Sequence, residues 1–93
     1  MTKILKLVLK YKWFDKIESG VKTHEYREYK PYWIKKLRPP NKYEFVEFQK
    51  GYSKNPPRLL FEIKSISVLT VDKKNDLQID SDVFDIALGK RIK

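Results

Sequence analysis

In the run Gly20-Val21-Lys22-Thr23-His24-Glu25-Tyr26-Arg27, a lysine, a carboxylate and an arginine follow a glycine able to end a helix. As a binding set, Lys22 and Arg27 would contact phosphate, or Arg27 would offer its planar fork to a base edge. Glu25 would then accept from an exocyclic amine or hold Arg27 in place. As a catalytic set, a desolvated Lys22 beside Arg27 would act as a base with Glu25 carrying the proton, although Glu25 also stabilises the charged lysine. A plainer reading is surface ion pairing on the wet face of an edge strand. His24, the single histidine, alternates onto the face opposite Glu25 and is assigned no base role. Neither a Ser-His-Asp set, a Walker loop nor a metal cluster is evident, so no metal and no cofactor is expected.

These heads need elements to bring them together. Residues 4 to 10 alternate, with Leu5, Leu7 and Leu9 on one face and Lys6 and Lys10 on the other, the pattern of a half-buried strand. From Lys12 to Ser19 the period changes. Trp13 and Phe14 each stand one helical turn before Ile17, which predicts a two-turn helix ended by Gly20 and dependent on tertiary packing. Residues 23 to 29 predict a strand with Thr23, Glu25, Arg27 and Tyr29 on one side and His24, Tyr26 and Glu28 on the other. Lys22 is out of phase with that set and joins it only from the turn before the strand.

Pro31 suits the first turn of a second short helix, which Pro39-Pro40 stop; Lys35, Lys36 and Arg38 gather at its negative end. Tyr43 to Phe48 reads as strand and residues 51 to 57 as a loop that exposes Tyr52. Along 58 to 71, Leu59, Phe61 and Ile63 share one parity and Ile66 and Val68 the other, so a bulge or bend is expected near Lys64-Ser65. Asp72, Asp76, Asp80 and Asp82 lack the EF-hand order and read as a solvated loop. Val83 to Leu88 gives a last strand, and Lys90 to Lys93 a basic tail. The sum is an α+β chain of about five strands with two short helices inserted early, a small mixed barrel or curled sheet.

Composition bounds the function. The 93 residues make one domain, and 41% hydrophobic residues with 14% aromatic argue for a packed core rather than disorder. The absence of cysteine removes disulfide scaffolds and thiolate metal sites. No apolar run is long enough to cross a bilayer, and the start leads into a strand pattern without a signal-peptide hydrophobic region, which predicts a cytoplasmic protein. Net charge is +9, and residues 1 to 43 hold twelve Lys/Arg against four Asp/Glu, so almost all the excess lies in the first half. A positive field confined to one part of a small domain suits a polyanion such as RNA. A membrane surface fits the sign, but no long basic amphipathic helix accompanies it. Lys10, Lys35, Lys36 and Arg38 would supply attraction, and Trp13, Tyr29, Tyr32 and Tyr52 are candidate stacking platforms. Trp13, one turn from Ile17, suits the core better than a platform.

The motif Gly20-x-Lys22-x-x-Glu25-x-Arg27 resembles the G-x-K-x-x-E-x-R signature of ASCH domains, members of the PUA-like superfamily. Flanking blocks agree: Lys12-Trp13-Phe14-Asp15-x-Ile17-x-Ser19-Gly20 before it, Tyr29-Lys30-Pro31-Tyr32-Trp33 after it, and Gly51-Tyr52 and Ile86-Ala87-Leu88-Gly89-Lys90 later. The resemblance spans nearly the whole chain. It implies a pseudo-barrel of five or six strands with two or three flanking helices, and RNA or nucleotide binding at the motif, in RNA metabolism or in translation or transcription regulation. Some members are amidohydrolases that deacylate N4-acylated cytidine with a lysine, a threonine and a distant glutamate. Lys22 matches their lysine, whereas Glu25 stands where they carry threonine, and their glutamate has no matched position here. On the resemblance, Lys10, Trp13, Lys22, Glu25, Arg27, Tyr29 and Tyr52 would line the ligand site, and Lys22 and Glu25 would be catalytic if the chain is an enzyme. A protein-interaction module using the aromatic and basic surface is the third possibility.

Overall fold

A computed structural model describes residues 3–37, 42–69 and 82–93. Alternation decides the first strand, β1 (Ile4–Leu9): Leu5, Leu7 and Leu9 are buried while Ile4 and Lys6 face out. Helix α1 (Tyr11–Glu18) follows at once and buries Phe14 and Ile17. Too short to persist alone, it is held by packing on β1 and β3. Its C-terminal end turns at Gly20, whose φ of +85° is cheap only for glycine. The chain then passes through Lys22, whose backbone N–H donates to the Lys16 carbonyl at 3.0 Å, and enters β2 (His24–Glu28). Helix α2 (Pro31–Leu37) starts on Pro31, where a missing N–H costs nothing.

Three further strands complete the sheet: β3 (Phe45–Lys50), β4 (Arg58–Leu69) and β5 (Val83–Arg91). The order is β1-β3-β4-β5-β2, with β1 parallel to β3 and every other pair antiparallel. The result is an α+β domain built on one curled, mixed five-stranded sheet, a half-barrel whose two free edges are β1 and β2. The long strand β4 makes the curl. Its first part, Arg58 to Glu62, pairs with β3, and its second part, Ser65 to Leu69, pairs with β5. Between them the β4–β5 register shifts twice, between Phe61 and Ile63 and again between Ile63 and Ser65. The slip in apolar phase therefore marks the bend beyond which β4 leaves β3 and pairs with β5 alone.

The concave side holds the core, with Leu5, Leu7, Val46, Phe48, Leu59, Phe61, Phe84 and Ile86 from the sheet under Phe14, Ile17 and Leu37 from the helices. Fully burying such a side chain contributes about 1.5 to 3 kcal/mol. Two sequence expectations are corrected. The C-terminal residues are not a loose basic tail: β5 runs through Lys90 to Arg91, and the Ile92 and Lys93 N–H groups donate to the Leu60 carbonyl. Main-chain pairing is blind to the polarity of exposed side chains, so the lysines there conceal it. Trp13 is only partly buried and packs at the edge of the core, which leaves part of its ring open. The aspartate-rich stretch lies outside the described residues except for Asp82, whose carbonyl accepts from the Tyr29 N–H at 3.0 Å. Among the described residues no helix is long and apolar enough to cross a membrane.

Candidate functional site

Strand pairing decides where the motif points. Glu25 lies opposite Ile86 and Arg27 opposite Phe84, both buried, so these two charges face the concave side of the sheet. Because β2 is an edge strand, they stand at the open seam, facing the other edge, β1. The Arg27 guanidinium reaches across, its Nη2 donating to the Val8 carbonyl at 3.4 Å and to Glu25 Oε2 at 2.8 Å. Lys22, arriving from the turn, sets its Nζ 3.6 Å from Glu25 Oε1. The three heads thus share one carboxylate. Side-chain exposures are 7% for Lys22, 8% for Glu25 and 20% for Arg27, so the arginine is the member nearest to solvent.

Burial is what makes this cluster chemically unusual. It pushes the Glu25 carboxyl above its ordinary range, and Arg27 and then Lys22 pull it back without cancelling the effect. The Arg27 Nε is buried with no hydrogen-bond partner. Such a donor costs about 1 to 3 kcal/mol until an acceptor meets it. Aromatic rings hold the cations in place. The Lys22 ammonium lies 5.3 Å from the Trp13 ring centroid and 4.8 Å from that of Tyr26, and the Arg27 guanidinium lies 5.2 Å from that of Trp33. Tyr26 in turn stacks beside His24, whose Nδ1 donates to Asp85 Oδ1 at 2.6 Å.

Two hollows flank the Trp13–Tyr26 pair. The seam cleft, of about 360 Å³, runs from Val8, Leu9 and Lys10 on β1 to Glu25 and Arg27 on β2, with Trp13 and Trp33 as walls. The second, of about 310 Å³, takes in Lys22, Thr23, His24 and Lys16. Lys22 therefore joins Glu25 as an ion pair but lines the neighbouring hollow rather than the seam cleft.

The sequence-predicted residues sort accordingly. Lys10, Trp13, Glu25 and Arg27 line the seam cleft, and Lys22 touches it through Glu25. Tyr52 lies in an adjoining hollow and is 86% exposed. Tyr29 does not line the cleft: β2 ends at Glu28, and the Tyr29 ring packs on Phe84 at 5.0 Å between centroids. Of the outer cations, Lys36 sits 5.9 Å from the Trp33 ring, Lys35 is exposed, and Arg38 lies outside the described residues. Tyr26, Trp33 and Lys30 also line the cleft and were not singled out for it from sequence. For Tyr26 the reason is physical. Alternation puts it on the face away from Glu25, yet at a free sheet edge no further strand separates the two faces.

No protein-family model, no curated protein and no solved structure matches the chain. Among the described residues no group of three or more His, Asp or Glu stands where it would hold a metal ion.

Proposed function

We propose that the chain is an ASCH-type, PUA-like domain that binds RNA or a nucleotide in the seam cleft and acts in cytoplasmic RNA metabolism. The observation that carries this reading is the convergence of Lys22 and Arg27 on Glu25 at the open seam, beside the cleft walls Trp13 and Trp33. A ligand phosphate or base edge would meet the part of the Arg27 guanidinium that stays open to solvent. Glu25 keeps the guanidinium turned toward the seam, and Lys10 adds positive charge to the lining, where Lys30 is paired with Glu28 at 3.0 Å. The aromatic walls give bases a surface for stacking. Titrating a short RNA into the wild type and Arg27→Ala tests the reading. Loss of a charge-assisted contact predicts affinity weaker by about 10- to 100-fold. Equal affinities would remove Arg27 from the site, and no binding by the wild type would end the reading.

A second reading, a small amidohydrolase acting on a modified nucleoside, is favoured by one observation. Glu25 is biased toward its protonated form beside the Lys22 ammonium, which equips the pair to hand a proton to a leaving amine. Release of acetate from N4-acetylcytidine by the wild type, abolished in Lys22→Ala, is the expected result of that chemistry. Intact substrate after prolonged incubation would discard it.

A further inference from the structure

We infer that the ligand is an extended single strand rather than a lone nucleotide, with an outer base seated between Tyr11 and Tyr52; this rests on the nucleic-acid reading above. A third hollow, of about 480 Å³, adjoins the seam cleft and shares Val8, Leu9 and Lys10 with it. Its remaining walls are Tyr11, Gly51 and Tyr52. The two hollows are therefore neighbours at the end of β1, and Lys10 lines both.

The outer hollow is built as a platform. Gly51 turns the chain with φ +67°, its N–H donates to the Leu9 carbonyl at 2.9 Å, and this ties the turn after β3 to the end of β1. The Tyr11 ring lies directly on that glycine: a Cβ there would stand 2.6 Å from Tyr11 Cε1. The Lys50 ammonium, 5.4 Å from the same ring centroid, is itself fixed by Asp15 at 2.9 Å. Tyr11 is thus supported from within yet remains 58% exposed, and Tyr52 beside it is 86% exposed. Two neighbouring, water-facing tyrosines at such exposure, the first of them supported, forgo hydrophobic burial. They suit a flat, π-faced partner, and Lys10, which lines both hollows, suits the phosphate that links two nucleosides.

Charge complementarity selects the occupant. The cleft carries Lys10, Lys30 and Arg27 against Glu25 and Glu28, three cations to two carboxylates and so an excess of one positive charge, in a chain of net charge +9. A backbone with one negative charge per nucleotide matches this lining, whereas a neutral nucleoside uses only the inner end.

The test compares adenosine monophosphate with the RNA tetranucleotide of adenosine on wild type, Tyr52→Ala and Arg27→Ala, by calorimetry. Tyr52 is so exposed that its truncation leaves the fold intact. The tetranucleotide is expected to bind the wild type at least tenfold more tightly than the monophosphate. Tyr52→Ala should weaken the tetranucleotide alone, by about five- to a hundredfold, while Arg27→Ala weakens both ligands. Equal affinities for the two ligands, or a tetranucleotide affinity indifferent to Tyr52→Ala, overturns the outer subsite and leaves the inner site standing. Failure of the wild type to bind either ligand overturns both.

Discussion

At the scale of single residues, Glu25 is the pivot, because two cations compete for a carboxylate that burial drives toward neutrality. The sign of its pH effect follows from linkage. Its folded-state pKa is raised above the unfolded value, so in the window between the two the folded chain holds a proton that the unfolded chain has released. Stability from this group is therefore fully present at acid pH, below the unfolded value, and is lost as pH rises through the raised folded value. Glu25→Gln removes the titration. The melting temperature of the wild type minus that of Glu25→Gln is expected to increase as pH is lowered from neutral toward 4.5. A difference that stays constant or shrinks over that range would show that the ion pairs, not burial, dominate.

Elements show what was legible before any coordinates. The glycine stop after Ile17 and the two-residue period of Glu25 and Arg27 sufficed to place those charges on one face and Lys22 in the turn, because both are local rules. The phase slip in β4 was legible for the same reason: a bulge leaves a local signature in the order of apolar residues. Trp33 and the end of β1 were not legible as cleft walls. They meet Arg27 only because the sheet curls until its first and last strands face each other. Alternation within a strand carries no information about that closure. Tyr29 shows the limit from the other side, since its parity matched Glu25 but the strand ended one residue too early for parity to govern it.

For the whole molecule, charge is the property that acts at a distance. Most of the net charge of +9 comes from the first half of the chain, which also supplies Lys10, Lys22, Arg27 and Lys30 at or beside the seam. Binding of a single strand through three or four phosphate contacts predicts a log-log salt slope of about −2 to −3, since each contact contributes about −0.7. Affinity measured across a salt series checks this, and a flat line would mean that the field does not act on phosphate. The seam has one more implication. A ring that stops short of closure is spanned at its gap by a guanidinium clasp 3.4 Å from a main-chain oxygen. Whatever lodges in the gap becomes the missing staple between the first and last strands. At a free concentration a hundred times its Kd, it strengthens the entire fold by about 2.7 kcal/mol, so resistance to heat doubles as a gauge of occupancy.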